Sequence, residues 1–207
     1  MDDQLRQDVE QAVNDGGDIR TKIRDAVEAA AERAKSTSTR LTDLSTQTVE
    51  TAISAIERAV PEEPESTLHQ VIDGLADGLG RTAQATKLAL EEAAASGKAY
   101  ASDDLKSVAA DLRSIAGMFV ETVEGAVGGA AKHTKTQIGS AKSHAEKTIG
   151  AIKPSLESAA LAAAQNPVGL VGESASAATK LAREATGSLF GAVGNLLRNT
   201  GDKIKPS

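Results

Sequence analysis

Ala116-Gly117-Met118-Phe119, Val127-Gly128-Gly129-Ala130, Ile138-Gly139-Ser140-Ala141 and Ile149-Gly150-Ala151-Ile152 are four versions of one pattern, spaced 11 residues apart. Eleven residues make three turns at about 3.67 residues per turn, so such a repeat draws a nearly straight apolar stripe along a helix. Three columns make up the stripe. Leu105, Ala116, Val127, Ile138 and Ile149 form the first, and Val108, Phe119, Ala130, Ala141 and Ile152 the second. Leu112, Val123, Thr134, Ala145 and Leu156 form the third. A heptad register also fits residues 105–126, but beyond them it puts His133, Thr136 and Ser140 in the seam, so the 11-residue reading fits the longer stretch. It predicts one helix over about 102–153, roughly 75 Å long at about 1.5 Å per residue.

The glycines at 117, 128, 139 and 150 weaken that helix. Each costs about 1 kcal/mol against alanine in a helix interior. Three readings follow: the helix completes only on a surface that buries the stripe, or the glycines admit a second helix, or they are a relic of duplication. The lysines beside the stripe, Lys132, Lys135, Lys142, Lys147 and Lys153, fall on its flanks or opposite face. Basic flanks suit an anionic surface; a plainly solvated face is the alternative.

Working outward, residues 1–60 read as acidic helices. Leu5, Val9 and Val13 mark the first, and Asn14-Asp15-Gly16-Gly17 breaks it. Asp18 is placed to cap the next. Pro61-Glu62-Glu63-Pro64-Glu65 opens a linker at 61–66. Thr67 and Gln70 have capping-box spacing for a central helix over 67–101, and Ser102-Asp103-Asp104 starts the repeat helix. Pro154 is expected to end or kink it, leaving an alanine-rich helix and break over 154–170. A last amphipathic helix falls in 171–207, ahead of a basic tail. There the uncharged run 186–197 offers Leu189, Phe190, Val193, Leu196 and Leu197 as an interfacial anchor, too short to span a bilayer.

Composition narrows the class. Of 83 apolar residues 38 are alanine, with two Phe, one Tyr and no Trp. The expected fold class is therefore all-α: extended amphipathic helices or a loose helical bundle, partly disordered, with little large apolar material for a dense core. No cysteine is present, which excludes disulfides and thiolate metal sites and suits a cytoplasmic setting. Net charge runs from -7 over residues 1–65, through -4 over 66–131, to +5 over 132–207. Either the basic rear approaches an anionic surface or the two ends pair with each other. No secretory h-region and no run long enough for a transmembrane helix is seen. His133 and His144 are also 11 apart, too far along one helix to share a metal, and His69 stands alone. No nucleophile–base pair, phosphate loop or metal-ligand cluster stands out, so no enzyme, cofactor or metal is expected. Nucleic acid is disfavoured by the acidic balance and the absence of interleaved aromatics.

Residues 121–149, from Glu121-Thr122-Val123-Glu124-Gly125-Ala126-Val127 to Glu146-Lys147-Thr148-Ile149, resemble the 11-residue repeats of synucleins. Exchangeable apolipoproteins share that helical period, and the likeness extends over about 105–156. Each synuclein repeat has a lysine pair, which these repeats lack. Residues 89–123, with Ala89-Leu90-Glu91-Glu92-Ala93-Ala94 and Asp103-Asp104-Leu105-Lys106, are broadly similar to alanine-rich bacterial helical proteins, among them the phasins that coat polyester granules. These resemblances imply a reversible amphipathic coat on a lipid or storage granule. In that coat the stripe Leu105, Val108, Leu112, Phe119, Val123, Val127, Ile138, Ile149, Ile152 and Leu156 makes the contact. The alternatives are a self-associating coiled-coil scaffold, in which the stripe meets a partner helix as a homo-oligomer, and a stress protectant that stays largely disordered until bound or dried.

Overall fold

The computed structural model describes residues 2–34, 40–95 and 102–165. Among them the fold is all-α: α1 (Asp3–Asp15), α2 (Ile19–Ala34), α3 (Leu41–Ala59), α4 (Pro64–Ala95), α5 (Ser102–Gly129), α6 (Lys132–Gln137) and α7 (Ala141–Gln165).

The helices form three antiparallel hairpins, α1–α2, α3–α4 and α5–α7, with α6 inside the last turn. The hairpins stack in one direction. In one layer, α1 lies parallel to α3, tied by Asp2 to Gln47 near one end and Glu10 to Arg58 (3.1 Å) near the other. In the same layer α3 packs on α5. In the second layer α2 lies parallel to α4, through Arg20–Asp77 (2.7 Å) and Glu28–Arg81 (3.4 Å). There α4 lies parallel to α7, with Glu65 at Ser140, Asp73 at His144 and Thr148, and Gly80 against Ile152. Each hairpin packs on its neighbour in sequence, as in stacked helix-pair arrays.

Local chemistry explains the helix ends. Asp2 caps α1 by accepting from the Leu5 N–H (2.9 Å) and also holds Arg33 of α2. Burial pushes its carboxyl up, but the Arg33 and backbone hydrogen bonds outweigh this and leave it below the ordinary carboxylate range. Gly16 and Gly17 take φ of 65° and 70°, backbone that glycine adopts without strain, so the first break falls where the sequence put it. Asp18 does accept from the Thr21 N–H (3.2 Å).

Three sequence expectations are corrected. The Thr67–Gln70 capping box is not used. Pro64, whose fixed φ suits a first helical position, starts α4 one turn earlier and leaves Thr67 buried inside it. Pro154 does not end a helix, since α7 runs through it. Both Pro154 and Gly150, four residues earlier and the residue a missing N–H would have bonded, lie on the exposed face. Water can serve that carbonyl.

The single repeat helix over 102–153 is the third correction. It breaks after Gly129 and again at Ile138–Ser140, and the two long pieces fold back on each other. Carboxylates from the second hairpin occupy the breaks. Glu57 accepts from the Ala131 N–H (2.6 Å), and Glu65 accepts from the Ser140 N–H (3.1 Å) and hydroxyl. They satisfy donors that a continuous helix would have paired internally. Glu57→Ala is expected to lower stability by about 1 kcal/mol, the size of a lost helix cap, read as a shift in the urea midpoint.

Candidate functional site

The third hairpin carries most of the residues singled out in the sequence. Its stripe faces inward. Leu112, Phe119, Val123, Ile138, Ile149 and Leu156 are buried, and Val127 and Ile152 are half-buried against the same core. Leu105 and Val108 belong to α5, but their side chains lie outside the described set. The core face of α5 runs through Leu112, Ile115, Phe119 and Val123, three and four residues apart. Those steps of 3, 4 and 4 add up to 11 residues, so within α5 the buried face follows the longer spacing and not a strict heptad.

The repeat glycines point the other way. A Cβ on Gly117, Gly128 or Gly150 would meet nothing within 4 Å, and one on Gly139 would meet only backbone oxygens at 3.8 and 3.9 Å. Among the described residues they admit no second helix. Close approach is made instead by Gly74 and Gly78 of α4, one turn apart, where α2 crosses. A Cβ on Gly78 would lie 2.9 Å from Val27 Cγ1, and one on Gly74 would run into the Arg20 carbonyl oxygen.

Lys132, Lys135, Lys142, Lys147 and Lys153 are all exposed on α6 and α7. Lys142 pairs with Glu124 (2.8 Å) and Lys153 lies 3.8 Å from Glu157. On α6 and α7 the five exposed lysines outnumber the two exposed glutamates, Glu146 and Glu157, over an apolar interior, while α5 exposes Glu121 and Glu124. The described part of this hairpin packs mainly on α3 and α4 of the second hairpin.

Along the α4–α7 seam runs a polar cluster. The His69 and His144 rings stack with centroids 4.0 Å apart and planes 9° from parallel. His144 Nε2 lies 2.8 Å from Asp73 Oδ1, which also accepts from the Thr148 hydroxyl (3.0 Å). His69 Nε2 lies 3.0 Å from Ser140 Oγ. Ser140 donates its only hydroxyl hydrogen to Glu65, whose carboxyl is held below its ordinary range by the hydrogen bonds from the Ser140 hydroxyl and N–H. The serine oxygen can then only accept, so the His69 Nε2–H donates to it. In this orientation the Glu65 carboxylate, and not His69, faces the serine's proton. Burial and the neighbouring His144 push the His69 imidazole below its ordinary value.

The cluster was not legible in the sequence. Spacing drew attention to His133 and His144, but His133 is exposed on α6, and the partner of His144 comes from another hairpin. A shallow cleft of about 230 Å³ adjoins the seam, with Arg20, Asp77 and Lys147 on its rim. The C-terminal anchor Leu189, Phe190, Val193, Leu196 and Leu197, and the last helix expected over 171–207, lie outside the described residues.

No curated protein and no solved structure matches the chain. One family model does, over residues 1–191, which is most of the length. The chain thus belongs to DUF6781, a family of unknown function.

Proposed function

We propose that the protein is a reversible surface-binding protein, in which the α5–α7 hairpin meets an anionic lipid or polymer-granule surface. The single observation that supports this most is the two-sidedness of that hairpin. Its five exposed lysines could engage the surface first, while the apolar stripe is held inside the bundle. Opening the hairpin from α3 and α4 would then turn the stripe outward, keeping its helices intact. Many of the buried residues of α7 are small, Ala141, Ala145, Ala159, Ala160 and Ala163 among them. Each contributes little buried area, so separation costs less than in a leucine-rich seam. Among the described residues no helix is long and apolar enough to cross a membrane, which fits a peripheral mode of attachment. The reading names a coat with no reaction and no cofactor, on a cytoplasmic surface.

The second reading is a self-associating scaffold. It is favoured by the third hairpin's position at one end of the described stack, where Met118 and Leu161 are about half exposed (49% and 50%). A further copy could extend the stack there.

Vesicles of anionic and of neutral lipid, and polyester particles, separate the readings when combined with circular dichroism, sedimentation and hydrogen exchange. A coat protein should be helical and monomeric alone. With anionic vesicles or particles it should keep its helicity but lose protection across 141–165, and salt should reverse this. A scaffold oligomerises without any surface, and a protectant is unstructured until dried. Failure to bind vesicles or particles at low salt overturns the coat.

A further inference from the structure

We propose that the stacked His69–His144 pair is an acid-sensitive latch between the second and third hairpins, closed when both rings are neutral and released when both carry a proton. The two rings come from different hairpins, α4 and α7, and touch face to face at 4.0 Å. Neutral imidazoles stack well. Two imidazoliums at that distance repel, and the repulsion acts directly across the α4–α7 seam.

The charges around the pair can balance one proton but not two. Asp73 is in hydrogen-bond contact with His144, so it can match one imidazolium. His69 touches the Ser140 hydroxyl, not a carboxylate. From α4, Glu65 and Asp73 favour a charge on His69; from α7, Lys147 and His144 oppose it, and burial opposes it most. Glu65 is already engaged by Ser140. From α2, Arg20 draws on Asp73 electrostatically while bonding Asp77. From α3, Glu57 is occupied by the Ala131 N–H, and on α6 Lys132, His133 and Lys135 are exposed.

The direction follows from linkage. A histidine whose value is lowered on folding binds fewer protons folded than unfolded. Its contribution is intact above the ordinary histidine value, about 6.5, and is lost as pH falls through that value toward the lower folded one. Free carboxylates, near 4, stay ionised through most of this window. The seam should therefore loosen between about pH 7.5 and 5.5, whatever surface or partner the freed hairpin then meets.

Thermal unfolding of the full chain at pH 7.5 and 5.5, without vesicles, tests the latch. The wild type should lose roughly 4 °C in Tm over this range, the size expected for a change of this order in a domain this long. His69→Gln keeps a donor for Ser140 but takes no proton, and should show at most half that loss, as should His69→Phe, which keeps the stack. His133→Gln should behave as wild type. A wild type with no pH-dependent loss, or equal losses in wild type and both His69 variants, overturns the latch. Proton NMR titration of the wild-type rings needs no substitution: His69 should titrate below the ordinary histidine value of about 6.5, and a midpoint at or above it overturns the proposal.

Discussion

Gly74→Ala is expected to destabilise the protein by about 2 kcal/mol, and Gly117→Ala to stabilise it by about 1 kcal/mol. The two substitutions are chemically identical and both sit inside long helices, so propensity alone predicts the same gain for each. Packing reverses one of them. At Gly74 the added methyl would run into the Arg20 carbonyl oxygen and lie 2.9 Å from Ile23 Cβ. Backbone cannot rotate aside, so α2 and α4 must separate, and overpacking of this kind typically costs about 1–3 kcal/mol. Gly78, with Val27 at 2.9 Å, should respond in the same direction but less, because a side-chain methyl yields more readily than a carbonyl. At Gly117 nothing lies within 4 Å, leaving only the gain in helix propensity. Urea denaturation with unchanged slopes measures both. A stable Gly74→Ala protein would mean that α2 and α4 do not cross closely at this point.

What was readable in the sequence follows the range of the forces involved. The break at Gly16–Gly17 and the cap by Asp18 depend on a few consecutive residues, and each lies where local chemistry places it. The apolar faces of α5 and α7 were readable as periodicity. The breaks between them were not, because they are stabilised by Glu57 and Glu65, more than 70 positions away from Ala131 and Ser140. Nothing near Ala131 in sequence announces a bound carboxylate. The parallel register that joins His69 to His144 is equally non-local. Gly74 and Gly78 lie one turn apart in α4, but no spacing in the sequence marks them as the site of a close crossing, which depends on α2.

Lys132, Lys135 and Lys147, changed together to glutamine, are expected to weaken binding to anionic vesicles about a hundredfold, with little effect on folding. Each lysine held near an anionic headgroup layer contributes about 1 kcal/mol, and three such terms give about two orders of magnitude in affinity. These three are chosen because they are exposed and not in the ion pairs that Lys142 and Lys153 make with Glu124 and Glu157. Their loss removes attraction while leaving those intrachain pairs in place. A charge introduced into the stripe would be a poorer test. Ile138 is fully buried, so Ile138→Asp would unfold the hairpin and abolish binding for a reason unrelated to any surface. The lysine variant should also show a flatter dependence of affinity on salt, since fewer charges are then screened. Vesicle co-sedimentation across a salt series gives both numbers. Unchanged affinity and salt dependence would show that the cationic exterior of α6 and α7 is not what meets the lipid. The protein would then have to meet the vesicle through a surface other than these three lysines.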